Sequence, residues 1–193
     1  MKVNTELFDE PFNKIEELIQ NNKLIMAIDG SSAAGKSTLA AVLAERYGAV
    51  VFHADDFFLR PEQRTAERLN EAGGNMDRER LKAEVLESLS KGERVTYRAF
   101  DCRTMSLKEP VSVEPGRLNI IEGAYSMHPE LESYYGFSVF LDIDPETQRQ
   151  RILKRNDSAK AEMFFSRWIP MEKRYIEELK VKERCQMLIN IKD

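Results

Sequence analysis

Short apolar runs alternate with stretches of helical period along most of the chain. Phe12, Ile15 and Ile19 recur at helical spacing behind Pro11, which predicts a first helix over about 9–21. Leu24-Ile25-Met26-Ala27-Ile28 is wholly apolar and stops at Asp29-Gly30, the pattern of a strand buried on both faces. Ser37 to Arg46 then carries Leu39, Val42 and Leu43 on one helical face. Ala49-Val50-Val51-Phe52 reads as a second strand. Asp77 is placed to cap a helix bearing Leu81, Val85 and Leu89 at four-residue steps. Arg94 to Phe100 reads as extended, and Leu118–Ile121 and Ser138–Leu141 as two more buried strands. Pro145 opens a basic helix, a further helix covers about 161–179, and Met187–Ile191 supplies the last strand.

Strands alternating with helices predict a three-layer α/β domain around a mostly parallel five-stranded sheet. The least regular stretch, about 60–75, holds Gly73-Gly74 and reads as a surface excursion. The chain has 193 residues, enough for one domain with a sizeable core. Its net charge of −4 excludes a generally basic nucleic-acid binder. No apolar run approaches the roughly 20 residues that span a membrane. The first residues lack the apolar core of a signal peptide. The two cysteines, Cys102 and Cys185, are far apart and read as reduced thiols of a cytoplasmic protein. Its two histidines, His53 and His128, form no zinc pattern.

Chemistry enters at the end of the first strand. Gly30-Ser31-Ser32-Ala33-Ala34-Gly35-Lys36-Ser37 fits G-x-x-x-x-G-K-[ST], and Thr38 continues it into the helix. Glycines let the backbone wrap phosphate oxygens, and successive N–H groups point inward at the positive end of the helix. In that motif Lys36 faces the β and γ phosphates and the Ser37 hydroxyl ligates Mg²⁺. No Asp is followed three residues later by Gly, and no Asn-Lys-x-Asp stands after the loop, which argues against a GTP-binding switch protein. The strand ending in Glu122-Gly123 carries one acid, not the two adjacent acids of motor ATPases. Small kinases remain the favoured users of the loop.

Two further acids emerge beside it. Strand two runs into His53-Ala54-Asp55-Asp56-Phe57-Phe58, and one of its carboxylates is able to take the proton of an attacking hydroxyl. Glu122, at a strand end, is placed to hold Mg²⁺ directly or through water. Arg151 and Arg155 are four apart and share a helix face, where a mobile arm would bring them over the γ-phosphate. Aromatic walls for an acceptor are available in Phe57, Phe58, Tyr97, Phe100 and Tyr125, with Arg98, Asp101, Arg103 and His128 as polar handles.

With these pieces in order, the chain resembles the uridine kinase and phosphoribulokinase family of phosphate-loop kinases, and is similar to nicotinamide riboside kinases. The resemblance rests on residues 28–38, Asp55-Asp56-Phe57-Phe58, Ile121-Glu122-Gly123 and Leu141–Thr147, and covers about 24–155. It implies a nucleoside-kinase-like fold with a helical lid over about 146–170, ATP as phosphate donor and Mg²⁺ as cofactor. It also implies Asp55 as catalytic base, Glu122 with Ser37 and Asp55 around the metal, and Arg151, Arg155 and Arg167 as lid arginines on the ATP phosphates. Tyr97-Arg98-Ala99-Phe100 stands where uridine kinases carry a substrate segment. The lid departs from the family, with Arg155-Asn156 in place of Arg-Asp. The expected activity is ATP-dependent phosphorylation of a hydroxyl on a small metabolite, a nucleoside such as uridine first. A monophosphate kinase using Arg60, Arg98 and Arg103 on the acceptor phosphate, and an ATP-binding regulator without transfer, are the alternatives. No membrane or nucleic-acid partner is expected, and self-association is left open.

Overall fold

A computed structural model describes residues 9–191. Among the described residues there are nine strands: β1 (Leu24–Gly30), β2 (Val50–His53), β3 (Val95–Tyr97), β4 (Phe100–Asp101), β5 (Ser106–Leu107), β6 (Val111–Val113), β7 (Leu118–Glu122), β8 (Phe137–Ile143) and β9 (Met187–Ile191). Five of them form one parallel sheet in the order β2-β7-β1-β8-β9. The chain leaves β1 toward one side to make β2 and returns on the other side to make β8 and β9. The carboxyl end of β1 is therefore the switch point, where ligands bind in open α/β sheets.

Alternation along β1 explains the layers. Met26 and Ile28 point into one core with Phe12, Ile15, Leu39, Leu43, Ile120 and Val139. Ala27, between them, points into the other with Phe52, Phe57, Val85, Ile121, Phe140 and Tyr175. The helices Asp9–Asn21 and Lys36–Tyr47 cover the first face. Segments 78–91 and 169–178 cover the second.

Several elements depart from the sequence pattern. The extended stretch from Arg94 splits, and neither half joins the main sheet. Strand β3 pairs antiparallel with β6, and β4 with β5. The helix expected over 161–179 begins earlier, as Ser158–Met163, and continues through a wide π turn at Phe164–Trp168 into Ile169–Glu178. Pro170 has no N–H to give the Ser166 carbonyl, and just before it Ile169 N–H reaches back five residues to Phe164. A second π turn, Lys82–Leu86, interrupts the helix that Asp77 caps through Arg80 N–H.

The excursion after β2 contains the 3₁₀ turns Ala54–Phe57 and Pro61–Gln63 and the short helix Ala66–Leu69. Arg68 fastens it, with Nε on the Gly74 carbonyl (2.9 Å), Nη2 on the Met76 carbonyl (2.8 Å) and both terminal nitrogens on Glu79. At the opposite rim, the amino ends of the strands frame a cleft of about 740 Å³ lined in part by Lys23, Lys91, Asn119 and Tyr134. No helix among the described residues is long and apolar enough to cross a membrane.

Candidate active site

The phosphate loop owes its shape to a buried anchor, Asp29, and a run of unusual dihedrals. Gly30 (φ +146°) lies against the Leu141 carbonyl, where a Cβ has no room. Ala33 (φ +66°) and Gly35 (φ +99°) are left-handed, which curls the backbone into a nest. Asp29, 1% exposed, anchors the base: Oδ1 accepts Gly30 N–H (2.6 Å), and Oδ2 accepts Met127 N–H (2.8 Å) and the Tyr175 hydroxyl (2.7 Å). Burial pushes the Asp29 carboxyl up, and these three donors oppose that shift. Lys36 Nζ donates to the carbonyls of Gly30 (2.8 Å) and Ser31 (3.0 Å).

The helices Pro145–Arg155 and Ile169–Glu178 grip the loop tip. Gln148 Nε2 donates to the Ser32 carbonyl (2.9 Å) and Arg151 Nη1 to the Ala33 carbonyl (3.3 Å). Glu172 accepts Ser32 N–H at Oε2 (2.8 Å) and Ser32 Oγ–H at Oε1 (2.5 Å). Gln148 and Arg151 are three residues apart on one helix, as are Glu172 and Tyr175 on another, so each pair shares a face.

Beside the loop, parallel register sets Glu122 next to Ile28 on one side and His53 on the other. Its two oxygens are each 3.1 Å from Ser37 Oγ, and Oε1 is 2.5 Å from His53 Nδ1. That hydrogen bond raises the His53 pKa, with burial opposing it. Asp55 and Asp56 follow on the 3₁₀ turn. Asp55 stays exposed at this edge; the protein packed around its carboxyl pushes it above the usual range, Lys36 pulls it down, and Glu122 pushes it up again. Asp56 is also raised by burial, against His53, Lys108 and Arg80. The carboxyl edge of the sheet thus brings Lys36, Ser37, Asp55, Glu122 and His53 into one cluster.

The two other arginines expected on a lid, Arg155 and Arg167, sit elsewhere. The Arg155 guanidinium lies over the Phe164 ring (5.2 Å), and Arg167 is exposed on the π turn. Several proposed acceptor walls are structural. Phe57 is fully buried, stacked on Tyr97 (5.6 Å) and covered by Arg80 (4.5 Å), because the tight turn points it inward. Phe100 is buried beneath Arg64. Arg98 is spent on the β4–β5 hairpin, donating to the Lys108 (2.6 Å) and Leu107 (3.2 Å) carbonyls. His128 caps the helix Pro129–Glu132 by accepting Glu130 N–H, and burial with nearby Arg78 lowers its pKa to about 4. Tyr125, at φ +74°, packs edge-on against Tyr175 (4.9 Å), and burial holds its hydroxyl protonated. Phe58 and Tyr97 are the half-buried aromatics among these candidates; burial raises the Tyr97 hydroxyl pKa, and nearby Asp56 adds to the shift.

Glu172, Tyr175, Gln148 and His53 carry contacts that the sequence pattern did not single out. The one local signal was the three-residue spacing of Glu172 and Tyr175, which many helical pairs share.

Comparison with known proteins bears on the fold and the family. A curated phosphoribulokinase from Synechocystis sp. is 28% identical over 133 residues, 65% of this chain and 39% of that relative. The match therefore spans well under half of the relative's length. Among solved structures, a possible uridine kinase from Bacillus stearothermophilus superposes with a TM-score of 0.71 at 22% identity, covering 95% of this chain and 97% of that one. A candidate fructose transport system kinase from Silicibacter sp. TM1040 gives 0.64 at 22% identity, over 96% and 98%. At such identities these two speak for the fold, a phosphate-loop α/β domain. The family model for the Phosphoribulokinase / Uridine kinase family matches residues 25–161, and on that match the chain belongs to this family of phosphate-loop kinases.

Proposed function

We propose that the protein transfers the γ-phosphate of ATP to a hydroxyl of a small metabolite, with a nucleoside as the leading acceptor. The observation that carries this reading is the convergence at one sheet edge of Lys36, the Ser37–Glu122 pair (3.1 Å) and the exposed carboxyl of Asp55, which lies within electrostatic reach of both Lys36 and Glu122. Asp55 accepts or orients the acceptor proton as the acceptor oxygen bonds to the γ-phosphorus and the bond to the β-γ bridging oxygen breaks, releasing ADP. Loop N–H groups and Lys36 hold the phosphates, and Arg151 stands beside the loop tip on the lid side. Arg155 and Arg167 enter only as groups that the lid carries.

Ser37 and Glu122 offer a hydroxyl and a carboxylate, hard oxygen donors of the kind Mg²⁺ prefers, and their approach fits a site completed by phosphate and water. Bound there, the ion would neutralise phosphate charge. We place the activity in the cytoplasm, a reading supported by the free thiols of Cys102 and Cys185.

The nucleoside reading is favoured over a monophosphate acceptor because two arginines for a second phosphate have other partners. Arg98 is held by the hairpin, and Arg60 by Glu62 (3.3 Å) and Gln63 (3.1 Å). An ADP-release screen over nucleosides, nucleoside monophosphates, vitamins and sugars tests the acceptor; turnover of monophosphates alone overturns the nucleoside assignment. Asp55→Asn should lower kcat by about 10²- to 10⁴-fold with nucleotide affinity little changed. Near-normal turnover in that variant removes Asp55 from the role of base.

A further inference from the structure

Helix Ile169–Glu178 reaches the loop through two side chains that do different things. Tyr175 is fully buried and donates to Asp29 at the loop base, so it fixes the helix in place. Glu172, one turn earlier and 7% exposed, spends both carboxylate oxygens on the two donors of a single loop residue, Ser32. Burial raises its pKa, while Lys36 and the Ser32 bonds favour its charged form. A buried carboxylate on a backbone N–H of a phosphate loop, within electrostatic reach of the loop lysine, meets the same donors that such a loop offers to phosphate.

We propose that Glu172 is an affinity-setting residue of the nucleotide site, its carboxylate competing with a nucleotide phosphate for the Ser32 donors. The inference rests on the phosphate-transfer reading above. Carboxylate and phosphate oxygens are the same class of acceptor, and one N–H makes one strong bond. Two anions drawn to the same lysine also repel each other in a water-poor site. The nucleotide must therefore push Glu172 off Ser32 or accept a weaker hold at the loop tip. Gln148, on the Ser32 carbonyl from the other side, keeps the residue oriented while that exchange occurs.

A purely structural role for Glu172 predicts the opposite sign. If the carboxylate only braced the loop, removing it would loosen the nest and weaken nucleotide binding. Competition predicts that removing the charge tightens binding.

The test is calorimetric titration of the full chain with the Mg²⁺ complex of a non-hydrolysable ATP analogue. Glu172→Gln keeps the shape and removes the charge, and should lower Kd about tenfold relative to wild type. Glu172→Asp keeps the charge and withdraws it by about 1.5 Å, and should also tighten binding. It answers the question if the Gln variant does not fold. Unchanged or weaker binding in the folded variants overturns the inference and leaves the kinase reading standing. Absence of binding in wild type and in every variant overturns the kinase reading, and this inference with it. Binding that appears only in the Glu172 variants supports both.

Discussion

His128 shows how a titratable side chain near an active site serves folding. It is 8% exposed and bonded as a cap, and its folded pKa of about 4 lies below the ordinary 6.5. Between those values the unfolded chain holds a proton that the folded chain does not. Stability is therefore full above pH 6.5 and falls as pH drops toward 4, by about 2 kcal/mol at pH 5. His128→Asn keeps an acceptor for Glu130 N–H and should flatten that slope when urea unfolding is compared at pH 7 and pH 5. An unchanged slope would assign the pH dependence to other groups. At this scale, the residues legible in the sequence were those with local signals. Lys36 and Ser37 sit in a spaced motif, and Asp55 and Glu122 stand at strand ends. Glu172 carries no such mark, because nothing local separates it from Glu177 or Glu178 on the same helix. Only the tertiary approach of that helix to Ser32 distinguishes it. Phe57 misled for the reverse reason: two adjacent aromatics after a pair of carboxylates look like a pocket, and the turn sends one of them into the core.

Among elements, the helix Ile169–Glu178 does more than cover the sheet, because Tyr175 ties it to the strand that ends in the phosphate loop. Tyr175→Phe keeps the ring packed on Tyr125 and removes one of three donors to a buried carboxyl. The expected loss is about 1–3 kcal/mol in chemical unfolding. A change below about 0.5 kcal/mol would mean that the hydroxyl contributes nothing to that anchor. Helical and strand periods revealed the long elements, since each buries a face. The β3–β6 and β4–β5 ribbons have two or three residues per strand, too few for a period to show. The π turns left no trace either, because the apolar positions around them still fall on one side.

Across the whole molecule, the first helix is part of the domain. Phe12 and Ile15 are buried in the same cluster as Leu39 and Leu43 of the phosphate-loop helix. Ile15→Ala should cost about 2–5 kcal/mol, read from denaturant midpoints. A loss near zero would show the helix to be merely appended. The alternation of strands and helices predicted a parallel five-stranded sheet. The order β2-β7-β1-β8-β9 was not legible, because apolar strands of this kind carry no mark of their neighbours.

Because all five central strands run the same way, their opposite ends have separate duties. The loop, the acids and the side chains of Gln148 and Glu172 gather on one rim, while the cleft with Lys23, Lys91 and Tyr134 opens on the other. That second rim is a handle for the experimenter. A fluorophore or surface tether placed around Gly92 or Ser133 would hold the molecule by its base and leave the reacting end free to be watched.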